Sequence, residues 1–339
     1  MRNVFFALLI FGGTLSAYAQ VLNSPDQNMT LSFTLDRQGA PVYSLNYKGK
    51  EVIKPSKLGF EIVLSKLGII DLTRNFTIAS IITDSEDSVW QPVWGDEKEI
   101  RNHYNEMLIK LSNAGRFMNI RFRLFDDGLG FRYEFPKQEK LYDFIVKEEK
   151  TEFCLAGDHK SFWIPGDYET NEYAYLTTKI SEIAANRKKA ITRIKTQVPI
   201  EGAAVQTPFM MKSDDGLYIN IHEAALVDYP AMHLSVDVND WKLHSHLVPD
   251  VWGGRGDVCT PGKTPWRTII VNDDARRILA SRLILNLNEP CRFEDVSWIK
   301  PVKFIGVWWE MFVGKGTWNY TDDTHIKLGV TDYLKVRRN

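Results

Sequence analysis

Apolar and polar residues alternate with a period of two along most of the chain, the pattern of strands that bury one face. Leu31, Phe33 and Leu35 alternate with Ser32 and Thr34, turn residues follow at Asp36–Pro41, and Val42, Tyr43, Leu45 and Tyr47 resume the pattern before a second turn at Lys48-Gly49-Lys50. The clearest hairpin runs from Ile120, Phe122 and Leu124 through Asp126-Asp127-Gly128 to Phe131, Tyr133 and Phe135. An Asp-Gly turn matches the twist of the strands on either side. Ser213–Gly216 leads into a strand over Leu217–Ile221, and Trp266–Val271 is expected to be followed by a strand through Leu283, Leu285 and Leu287. Thr177–Lys189 reads as a helix, with Ile180, Ile183 and Ala184 at helical spacing. Many short strands with Gly and Asp turns predict an antiparallel sandwich or barrel, not parallel α/β units. Pro290 and Pro301 bracket a polar stretch ahead of an apolar strand at Lys303–Met311, so a second unit is expected from residue 302.

Composition narrows the class. The 339 residues carry a formal net charge of −1, which offers no attraction to nucleic acid or anionic lipid. Met1–Gln20 joins one early arginine, a short apolar run and small residues at Ala17 and Ala19, the layout of a secretory signal peptide cleaved before Gln20. Export to the periplasm as a water-soluble protein is expected, since no later run approaches the roughly 18 apolar residues of a membrane span. Cys154, Cys259 and Cys291 are too few and too scattered for a disulfide framework. Aromatics make up 12% of the chain, with ten Trp and thirteen Tyr. Such side chains serve as core, as interface, or as flat faces on which sugar rings stack.

Three stretches hold candidate chemistry. Trp163–Tyr173 places Asp167, Glu169 and Glu172 among aromatics. These carboxylates could ligate a hard cation such as Ca²⁺, or form a solvated acidic loop favouring the N-terminus of the helix after it. Trp90–Glu106 could line a polyol cleft or be a loop held by ion pairs. His222, His233, His244 and His246 form no compact zinc pattern and read as packing and surface residues. Gly314–Thr317 lacks the spacing of a phosphate loop, and no Gly-x-Ser-x-Gly elbow is present.

Taken together, Trp90–Glu106, Arg121–Phe135, Phe162–Tyr168, His222–Tyr229, Thr264–Thr268 and Val302–Trp309 resemble the N-terminal half of glycoside hydrolase family 97. The resemblance implies a large N-terminal β-supersandwich, a (β/α)₈ catalytic barrel and a small C-terminal β-domain. It divides this chain into a signal peptide at 1–19, the sandwich at 20–301, and the first strand of a truncated barrel at 302–339. It further implies a calcium-dependent α-glucosidase acting on starch oligosaccharides, with Glu172 as a Ca²⁺ ligand and Trp308 as a sugar contact. The family's catalytic carboxylates lie on later barrel strands, so no catalytic residue is assigned. With the sequence stopping at Asn339, an inactive N-terminal portion is expected, with calcium binding weak or absent. The alternative is a stand-alone carbohydrate-binding module without catalysis.

Overall fold

The computed structural model describes residues 19–303, apart from residue 66 and residues 193–195. The chain divides into two compact units, Met1–Pro290 and Cys291–Asn339. All but Lys303 of the expected barrel strand Lys303–Met311, Trp308 included, and nearly all of the signal peptide lie outside the described residues.

The first unit is built almost wholly of antiparallel strands in three sheets of eight, ten and four strands. Met29–Leu35 pairs with Pro41–Tyr47, and Arg116–Phe125 with Gly128–Phe135, as alternation and turn residues predict. One face of each strand is buried: Met29, Leu31 and Phe33 from the eight-stranded sheet, Ile120, Phe122 and Leu124 from the ten-stranded one. These faces meet across a common core, with Phe33 on Phe122 at 5.9 Å and Tyr43 on Phe131 at 5.1 Å between ring centres. The four-stranded sheet closes the far end, where Phe144 meets Phe135 edge-on at 4.9 Å and Phe60 meets Tyr133 at 4.5 Å. The fold is therefore mainly β, with large antiparallel sheets layered face to face.

An ion cluster sits where the sheets meet. Arg267, fully buried on strand Trp266–Asn272, grips Glu149 with two hydrogen bonds of 2.9 and 2.7 Å and Glu223 with one of 2.6 Å. Glu149 ends strand Asp143–Glu149 of the four-stranded sheet and also accepts from Thr151 and Tyr229. Glu223 accepts the backbone N–H of Met232, in the eight-stranded sheet. Burial opposes the charge on Arg267, yet the two carboxylates outweigh it and raise its pKa.

Three local expectations are corrected. Thr177 and Thr178 belong to a strand, Leu176–Lys179, since these β-branched residues complete the sheet beside Lys160–Trp163. Only short turns of helix follow, from Ile180 to Ala190. The expected strand through Leu283 is instead the helix Leu283–Asn286, preceded by Ala275–Ala280, which Asp274 caps by accepting the N–H of Arg276. Leu283 and Leu287, four apart, are both buried against the outer face of the ten-stranded sheet, a helical and not a strand spacing. Gly128 and Gly130 make the contact possible, because a Cβ would lie 2.7 Å from Leu283 and 2.5 Å from Leu287 respectively. Finally, Trp90–Glu106 is loop only in its middle, over 91–99, and strand at its ends, where Thr77–Trp90 pairs with Ile100–Asn113 in a long hairpin. Ion pairs do secure it, Arg101 to Asp87 at 2.7 Å and Arg282 to Glu97.

Strand Thr77–Trp90 ends the ten-stranded sheet, is mostly exposed along its 14 residues, and has Ile100–Asn113 as its sole strand partner among the described residues. The described part of the second unit, residues 291–303, has no helix or strand. Within it Phe293 and Trp298 meet edge-on at 6.1 Å, and the Trp298 indole N–H donates to the Asp295 carbonyl. No described helix is long and apolar enough to cross a membrane.

Candidate functional site

Strand Lys160–Trp163 delivers the acidic loop. Trp163 anchors its base in the core and donates its indole N–H to Thr178 at 3.0 Å. Beyond it Pro165 and Asp167 form single bridges to Val205 and Pro199, which tether the loop to the returning chain. Gly166 is pressed against that segment, where an added Cβ would sit 3.0 Å from Ile200 and 3.1 Å from Ala204.

Asp167 is buried and ties the loop from within. It accepts the N–H groups of Glu169 at 2.8 Å, Thr170 at 3.3 Å and Val198 at 2.6 Å, and the hydroxyl of Tyr173. Burial works against its ionisation, but these hydrogen bonds prevail and hold its pKa below the usual carboxylate value. All of its acceptor capacity is thereby turned inward, so Asp167 serves as the loop's internal fastener and not as a free ligand. Tyr173 packs with Ile164 and Ala190 beneath the loop.

Glu172 stands at the outer edge of this loop, exposed. Its backbone is fixed on both sides: the N–H donates to Thr170 Oγ1 at 3.1 Å, and the carbonyl accepts from Gln197. Its carboxylate has no hydrogen bond or ion pair among the described residues. An exposed, unpaired carboxylate on a pinned loop is the right donor type for Ca²⁺, but it supplies at most two of the roughly six to eight oxygens such an ion takes. Among the described residues no three His, Cys, Asp or Glu side chains gather to hold a metal. A calcium ion at Glu172 would need further oxygen ligands that the described residues do not bring to it. Glu169 is also exposed but is not brought to Glu172 by any contact.

The structure assembles one group the sequence leaves scattered. His233 and His246 face each other across strands Met232–Asp237 and Lys242–Leu247. Tyr168 lies beside both with ring planes 15° and 10° apart, and its hydroxyl shares a hydrogen bond with His246 Nε2. His246 Nδ1 is 3.1 Å from Ser235 Oγ, and His233 Nε2 donates to the Asp167 carbonyl at 2.9 Å. Only the register of that hairpin, which no local residue pattern announces, makes these histidines neighbours.

Burial, with Arg255 nearby, pushes His246 down to about 4, and burial lowers His159, His222, His233 and His244 as well. A folded-state pKa below the unfolded value of 6.5 means that the unfolded chain takes the proton first. The stability these neutral rings contribute is complete above pH 6.5 and is lost as pH falls toward about 4. Urea midpoints measured at pH 7.5, 6 and 5 should therefore fall stepwise, and less steeply for His246→Gln. A midpoint that stays level down to pH 5 would refute this account.

Residues 22–290 match the family described as Glycosyl-hydrolase 97 N-terminal. A retaining alpha-galactosidase of Bacteroides thetaiotaomicron is 26% identical over 343 aligned positions, spanning 91% of this chain and 47% of that protein. A glycoside hydrolase family 97 enzyme of Pseudoalteromonas sp. strain K8, solved in complex with acarbose, is 34% identical with a TM-score of 0.76. A substituted form of it in complex with panose gives 0.77, and both alignments cover 90% of this chain and 43% of the other. The chain thus spans less than half the length of these relatives. The match over most of the first unit, together with the layered antiparallel sheets, places this chain in glycoside hydrolase family 97, whose N-terminal domain it contains.

Proposed function

We propose that this chain is the N-terminal part of an exported, calcium-dependent family 97 glycosidase acting on α-glucosides such as starch oligosaccharides. Its contribution is to carry Glu172 to an active site completed by a catalytic barrel. The observation that supports this reading is the contrast within one loop: Asp167 is consumed internally, whereas Glu172 is exposed and its carboxylate has no partner among the described residues. Calcium, held by Glu172 with ligands from the barrel, would supply a fixed positive charge beside the sugar. Acarbose and panose in the related structures favour an α-glucoside, while the related alpha-galactosidase makes galactosides the competing substrate. The leader-like Met1–Gln20 supports export, and Trp308 is the proposed sugar contact on the first barrel strand.

In the family that the chain resembles the catalytic carboxylates are on later barrel strands, and no residue of the first unit is given a catalytic role. Calorimetric titration of the chain with Ca²⁺ should give an affinity no tighter than about millimolar, as one carboxylate suggests. Micromolar binding would mean that a full ligand set is present and would overturn the shared-site reading. Aryl α-glucoside and aryl α-galactoside should both be assayed, with and without chelator. Chelator-sensitive turnover of the glucoside would show an active enzyme here, and oligosaccharide binding without turnover would leave a binding module.

A further inference from the structure

The trio of Tyr168, His233 and His246 has a form that its packing role does not require. A tyrosine hydroxyl on an imidazole nitrogen, with planes 10° apart and centres 5.8 Å apart, means that the two rings lie side by side and not one above the other. They make one broad flat surface. Tyr168 is 40% exposed, a large share for an aromatic ring fixed by hydrogen bonding at its tip.

Next to this surface lies a cavity of about 210 Å³, of which His246 and its partner Ser235 form part of the wall. Glu148, Glu149, Lys150, His244 and Arg255 line much of the remainder, with Ser245 and Leu247. Its volume suits one ring-sized group, below the roughly 300–1,000 Å³ of clefts that engulf drug-sized ligands. Its two carboxylates, Glu148 and Glu149, balance its two basic side chains, Lys150 and Arg255. Lys150 is paired with Glu148, and Arg255 gives one N–H to the Leu247 carbonyl. A balanced set of donors and acceptors recognises hydroxyl groups, whereas an anion would want unopposed cations. The carbon-bound hydrogens of a pyranose face are slightly positive and sit well on the negative face of an aromatic ring.

We propose that Tyr168 and His246 form a stacking platform for one pyranose ring of a neutral oligosaccharide, whose hydroxyls reach the cavity lined by Glu148, Lys150, His244 and Arg255. Neither Glu172 nor calcium takes part. Failure of this site and failure of the calcium reading are therefore separate results.

The test is calorimetric titration of the 339-residue chain with panose in excess EDTA. Wild type should bind, Tyr168→Ala should weaken binding by about tenfold or more, and Tyr168→Phe, which keeps the ring face, should stay within about threefold. Trp252→Ala, which removes an exposed aromatic ring that does not line the cavity, should bind as wild type does. Should Tyr168→Ala fail to fold by circular dichroism, His244→Ala must weaken panose by about fivefold through the lost hydroxyl partner. No panose binding by wild type, wild-type affinity in folded Tyr168→Ala or His244→Ala, or competition by inorganic phosphate would each overturn the proposal.

Discussion

Arg267→Met is expected to lower the unfolding free energy by about 3–5 kcal/mol, read as a lower urea midpoint with an unchanged slope. The reason is asymmetric. The guanidinium is wholly buried, and removing it strands Glu149 and Glu223, which are 3% and 7% exposed, without their cationic partner. Breaking such a pair from one side exposes the full desolvation penalty of what is left. Arg267→Lys retains the charge but cannot donate in parallel to both oxygens of Glu149, so it should fall between wild type and Met. A loss below about 1 kcal/mol for Arg267→Met would show that the cluster is neutral bookkeeping between burial and attraction.

This cluster also marks the limit of what the sequence discloses. Glu149 and Arg267 are 118 positions apart, and nothing local to either predicts the other. By contrast, the hairpins around Asp36–Pro41 and Asp126–Gly128 are legible because alternation and turn residues act over a few positions. Leu283, Leu285 and Leu287 mislead because leucines two apart satisfy strand alternation while Leu283 and Leu287 also satisfy helical spacing. The capping Asp274 and the facing glycines decide it, and the latter are known only once the sheet is built. Within the acidic loop, residue types reveal three carboxylates but not which is spent inside. That division between Asp167 and Glu172 depends on Val198 and Tyr173 folding back onto the loop.

Phe131→Ala is expected to lower stability by about 3–5 kcal/mol, from lost apolar burial plus an unfilled cavity. Phe131 is completely buried and is the ring shared by Tyr43, Phe122 and Phe153, at 5.1, 5.8 and 6.2 Å. Tyr43 and Phe153 belong to the eight-stranded sheet and Phe122 and Phe131 to the ten-stranded one, so the truncation opens a void between layers that cannot close without moving strands. Phe131→Leu should lose markedly less by the same urea measurement. Equal losses for the two variants would mean that the layers slide together and fill the gap.

The long outer strand Thr77–Trp90 has a consequence for self-association. An edge of this length with no second strand partner among the described residues is a template for pairing with a second copy. Its centre carries Asp84 and Glu86, so an antiparallel approach of two such edges sets acidic stretch against acidic stretch. Like charges directly opposed across strands are destabilising. The guard is electrostatic, and it weakens as salt rises and the screening length shrinks.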